Sequence, residues 1–98
     1  MALILIIDDD DQFRGTLRQM LELAGYEVAD ASDGEEGLRL NGERPADLVI
    51  TDLIMPEKEG LQTITELRRG FPESKIIAVS GGGRIEANAY LDLASFHP

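Results

Sequence analysis

Leu3-Ile4-Leu5-Ile6-Ile7 runs without a polar side chain straight into Asp8-Asp9-Asp10-Asp11. Five consecutive branched aliphatics fit a strand covered on both faces, because a half-exposed strand would alternate apolar with polar residues. The run is far too short to span a bilayer. It also lacks the basic flank and small-residue cleavage site of a signal peptide. Four carboxylates directly after it concentrate negative charge at one end of that strand.

Two further runs have the same character, Leu48-Val49-Ile50 and Ile76-Ile77-Ala78-Val79, while Tyr26-Glu27-Val28-Ala29 alternates like an edge strand. Helical spacing lies between them. Phe13, Leu17, Met20, Leu21 and Ala24 predict a first helix, with Gly25 where a C-terminal cap belongs. Asp33 can cap a second helix containing Leu38, which Gly42 and Pro45 help end. Leu61, Ile64 and Leu67 mark a third, closed by Gly70 and Pro72, and a fourth is expected from about Ile85 to Leu93. Strand and helix thus alternate four times with short connections. The expected fold class is α/β, an open parallel sheet with helices on both faces.

The 98 residues allow one domain, 1–98, with a modest core. Nineteen acids against nine Lys and Arg give a net charge of −10, the wrong sign for a nucleic-acid backbone. No nucleic-acid or membrane partner is expected. With no cysteine there is neither a disulfide framework nor a thiolate metal site, and a cytoplasmic location is expected.

Ligands of open α/β sheets collect beyond the carboxyl ends of the strands. The first strand delivers Asp8 to Asp11 there, the third Asp52, and the fourth Ser80 with Gly81-Gly82-Gly83. One Asp before a helix is explained by capping, which accounts for Asp10 or Asp11. The rest repel one another unless something neutralises them. A hard divalent cation does so, and Mg²⁺ characteristically takes one or two carboxylates together with waters and phosphate oxygens. Asp52 could simply open a turn, since Met55-Pro56 and Gly60 follow it. Beside a cation it could instead be a nucleophile toward a phosphoryl group, with Ser80 as a hydrogen-bond partner for a phosphoryl oxygen.

Asp8-Asp9, the segment Asp52-x-x-Met55-Pro56-x-x-x-Gly60 and Ala78-Val79-Ser80-Gly81 resemble the receiver domain of two-component response regulators. Arg14, Gly25-Tyr26-Glu27-Val28 and Ala31-x-Asp33-Gly34 fit the same pattern, so the resemblance runs from about Leu3 to Leu93. It implies a flavodoxin-like sheet in the order 2-1-3-4-5. It further implies Asp52 as phosphoacceptor, and Asp8, Asp9, Asp52 and the Ile54 backbone carbonyl as ligands of Mg²⁺, with Mn²⁺ or Ca²⁺ as substitutes in vitro. Ser80 becomes the switch hydroxyl, and the phosphodonor a histidine kinase or phosphotransfer protein. Any catalysis would be Mg²⁺-dependent self-phosphorylation and dephosphorylation at most.

The sequence departs from that pattern in one place. A receiver has five βα units and a Lys-Pro near its end, whereas this chain encodes four units and no Lys-Pro. The expectation is a receiver truncated at its C-terminus. Lys58 and Arg84 flank the site as candidate substitutes for the lysine, against the plainer reading of solvated loop charges. Without a fifth strand, Lys75 to Val79 would form an exposed, mostly apolar edge, so a homodimer or larger assembly is expected. The competing function is a degenerate receiver used for interaction or dimerisation, its phosphorylation impaired. An aspartyl hydrolase of the haloacid dehalogenase type ranks below both. It needs Asp-x-Asp from the nucleophile onward, and Asp52-Leu53-Ile54 ends in Ile.

Overall fold

All five side chains of β1 (Leu3–Ile7) are buried, because the strand lies between two packed layers. Ile4 and Ile6 face one layer with Leu17, Leu21, Val28, Ile50 and Val79. Leu3, Leu5 and Ile7 face the other with Ala31, Val49 and Leu67. The period-two alternation of a strand thus divides one uninterrupted apolar run between two cores.

The computed structural model describes residues 2–52 and 60–79. In chain order they form β1, α1 (Asp11–Leu23), β2 (Glu27–Ala31), α2 (Gly34–Glu43), β3 (Leu48–Asp52), α3 (Gly60–Gly70) and β4 (Lys75–Val79). The strands make one parallel sheet in the order β2-β1-β3-β4, the first four positions of the expected topology. The chain steps from β1 to β2 on one side, then crosses to β3 on the other. Strand order therefore reverses beside β1, and the crevice this opens lies at the carboxyl ends of β1 and β3. The helix expected at 85–93 lies outside the described residues.

Local signals set the helix boundaries. Asp10 is the N-cap of α1, its carboxylate accepting from the Phe13 amide at 3.0 Å. Gly25, just past the helix, has φ +97°, a conformation that costs glycine nothing. Asp33 caps α2 through the Glu36 amide at 2.8 Å, while the Glu36 carboxylate accepts from the Ser32 amide at 2.9 Å.

Several expectations need correcting. Met20 and Leu61, placed on buried helix faces by spacing alone, are 56% and 65% exposed. Against the sheet α1 buries only Leu17 and Leu21, and α3 buries Gly60, Thr63 and Leu67. Gly42 lies inside α2 rather than ending it. The weak strand 26–29 is displaced to Glu27–Ala31, and it does lie at one edge. Among the described residues β4 forms the other edge of the sheet, with Lys75 exposed and Ile77 and Val79 buried.

Candidate functional site

Ile7 and Thr51 are register partners on β1 and β3, so Asp8 and Asp52 come next on neighbouring strands. The Asp8 amide donates to the Ala31 carbonyl at 3.1 Å, extending the β1–β2 ladder one residue and fixing the start of the acidic loop. Asp8 and Asp52 are 1% and 3% exposed, whereas Asp9 is exposed. Asp8, Asp9 and Asp52 each offer a carboxylate oxygen, and these three lie within 4.8 Å of one another.

The electrostatics of Asp8 follow from this placement. Its Oδ1 accepts the Asp10 amide at 2.8 Å, but Oδ2 is buried with no hydrogen-bond partner among the described residues. Burial pushes its carboxyl up from the ordinary 3.8 to about 6. The Asp10 amide opposes that rise, and the charges of Asp52, Asp9 and Asp10 reinforce it. A buried oxygen without a donor, beside two more carboxylates, is a poor environment for a bare anion and a good one for a hard cation. The donor set, all oxygen, fits Mg²⁺.

Asp10 and Asp11 have other duties. Asp10 caps α1, and Asp11 in the first turn pairs with Arg14 at 2.5 Å. The four consecutive acids thus separate into two beside Asp52 and two engaged with the helix. Arg14 also donates through Nη1 to the Asp8 carbonyl at 2.6 Å, and its Nε lies 3.6 Å from Asp30 on β2. Asp30 in turn accepts from Arg18 at 2.9 Å. The i,i+3 spacing of Asp11 and Arg14 is readable from sequence, but the grip on Asp8 and Asp30 exists only in three dimensions. Ile54, Lys58, Ser80 and Arg84 lie outside the described residues. Lys75 stands at the opposite end of β4 from Val79, the register partner of Asp52. Four residues along a strand is about 13 Å, so Lys75 stands well away from the acidic rim.

Comparison with known proteins agrees with this geometry. Residues 4–94 match the family described as the response regulator receiver domain. The transcriptional regulatory protein CpxR of Klebsiella pneumoniae is 33% identical over 95 residues, which is 97% of this chain and 40% of that protein. The chain therefore spans well under half the length of that relative. Response regulator protein TrrA from Thermotoga maritima, solved in complex with Mg²⁺-BeF, superposes with a TM-score of 0.78 at 35% identity, covering 97% of this chain and 79% of that one. TrrA in complex with histidine kinase ThkA gives a TM-score of 0.77 at 34% identity, over 92% and 79% of the two chains. No helix among the described residues is long and apolar enough to cross a membrane. With its four parallel strands in receiver order and its acidic crevice between β1 and β3, this chain belongs to the response regulator receiver domain family.

Proposed function

We propose that the chain is a phosphoacceptor in two-component signalling, with Asp52 taking a phosphoryl group from the phosphohistidine of a histidine kinase or phosphotransfer protein. One observation carries this reading: Asp8, Asp9 and Asp52 bring carboxylate oxygens within 4.8 Å of one another, where the second oxygen of Asp8 is buried without a partner. Asp8, Asp9 and Asp52 would hold a divalent cation such as Mg²⁺, which when bound supplies the positive charge that lets an anionic carboxylate meet an anionic phosphoryl group.

An Asp52 oxygen attacks phosphorus, the phosphorus–nitrogen bond of the donor breaks, and its electron pair returns to the imidazole, which takes up a proton. An aspartyl phosphate remains on Asp52. β3 holds that carboxylate at the rim of the sheet, in register with Val79 of β4. Asp8 and Asp9 would supply further negative charge around the cation. The relative solved with Mg²⁺-BeF and its complex with a histidine kinase support the same chemistry and the same class of donor here.

The test is incubation with acetyl phosphate and Mg²⁺, followed by intact mass. A gain of one phosphoryl group, lost in Asp52→Asn and on chelation of the cation, is the expected result. Retained cation binding with no gain on Asp52 would instead favour a receiver used only for interaction.

A further inference from the structure

We propose that Arg14 is a positioning residue for the cation site, holding the Asp8 main chain in place through its joint contacts with Asp8, Asp11 and Asp30. The inference rests on the reading of Asp8, Asp9 and Asp52 as cation ligands. Both backbone groups of Asp8 are tied. Its amide goes to Ala31 on β2 and its carbonyl accepts from Arg14 Nη1 at 2.6 Å. Arg14 is itself fixed at two more points, through Nη2 to Asp11 at 2.5 Å and through Nε to Asp30 at 3.6 Å.

Asp30 is one residue before Ala31, so the clamp returns to the strand that receives the Asp8 amide. The closed arrangement joins the end of β1, the first turn of α1 and the end of β2. A planar guanidinium with five donors can hydrogen-bond the Asp8 carbonyl and Asp11 while its Nε edge faces the charge of Asp30, and a lysine ammonium cannot reproduce that fork. The Arg14 side chain is 16% exposed, so these contacts are partly shielded from water. Arg18 offers a natural control, because its guanidinium pairs with Asp30 and Glu22 rather than with the main chain of the acidic loop.

Charge and position make opposite predictions. A cation beside a cation site weakens binding, so by Coulomb's law alone deleting Arg14 would tighten it. If Arg14 acts by holding Asp8, deleting it weakens binding, and supporting residues of metal ligands typically contribute about 10- to 100-fold in affinity. Mn²⁺ titration followed by the electron paramagnetic resonance of the free ion measures this without reference to activity.

The expected result is weakening of about tenfold or more in Arg14→Ala, a smaller weakening in Arg14→Lys, and wild-type affinity in Arg18→Ala. In the metal-free protein, hydrogen exchange at the Asp10 amide should quicken in Arg14→Ala, since that amide bonds to the Asp8 carboxylate. Equal or tighter Mn²⁺ binding in Arg14→Ala, with the wild type binding normally, overturns this inference alone. Equal weakening in Arg18→Ala does the same. Wild-type protein that takes up no Mn²⁺ overturns the cation site itself. Should Arg14→Ala fold poorly, Arg14→Lys decides, because it keeps the charge and loses the fork.

Discussion

Ile7 and Thr51 face each other across the β1–β3 ladder, and each is followed at once by an aspartate, Asp8 and Asp52. Parallel strands lie about 4.8 Å apart, so equal register leaves two carboxylates as near neighbours at the sheet rim. Both are buried. Their mutual repulsion is therefore poorly screened in the metal-free protein, and it is relieved by whatever neutralises them.

The first prediction is that Mg²⁺ stabilises the folded chain. A ligand that binds only the folded state adds about 2.7 kcal/mol at a hundred times its dissociation constant. Thermal melts with and without Mg²⁺ should show an upward shift in the wild type. Asp8→Asn and Asp52→Asn should each lose most of it. A shift of equal size in all three proteins would place the cation elsewhere.

The pH dependence of the metal-free protein follows from Asp8. Its folded carboxyl titrates at about 6 against an ordinary 3.8, so between those values the folded state binds more protons than the unfolded. Stability from this group must then fall as pH rises from about 4 through about 6, and level off above. Two pKa units correspond to about 3 kcal/mol at most. Urea unfolding across that window should show the loss, and Asp8→Asn should flatten it and leave the protein more stable at neutral pH. A wild-type profile rising over the same window by a similar amount would contradict the burial of a charged Asp8.

Much of this was legible because strands and caps are local. The run Leu3 to Ile7 announced a strand buried on both faces, and the acids after it marked the rim. The division of labour among those acids was half legible: one carboxylate was needed as a cap, but only the geometry shows that Asp10 takes that part. Met20 and Leu61 misled because helical spacing gives a face without its width. A sheet leaves room for a narrower contact than the apolar positions of α1 and α3 would fill. Asn41 and Thr63 were invisible for the opposite reason, as polar residues that are fully buried.

Asn41 accepts the buried Ala46 amide at 2.7 Å and so closes the connection from α2 into β3. Asn41→Leu leaves that amide without its acceptor, which costs about 1–3 kcal/mol. Asn41→Asp keeps the acceptor but buries a charge, so it should be destabilising at neutral pH and milder in acid. Denaturant midpoints at two pH values separate these. Equal loss in both variants at both values would mean that packing, not the hydrogen bond, sets the cost.

Neighbouring acids in the β1–α1 loop should respond in opposite ways. Asp10 satisfies the Phe13 amide at the start of α1. Its replacement by Ala should cost about 1 kcal/mol, and the cost should be much the same with and without Mg²⁺, because a cap contributes in both states. Asp9 is exposed and lies beside Asp8 and Asp52. Its replacement by Asn removes a like charge, so the metal-free protein should hold or gain slightly in stability. The increment that Mg²⁺ adds should shrink, because one ligand is gone. Melts of the two variants with and without Mg²⁺ form a double comparison. If Asp10→Ala loses the Mg²⁺ increment while Asp9→Asn keeps it, the roles given to these two residues are exchanged, and the cation lies nearer the helix N-terminus than the sheet rim.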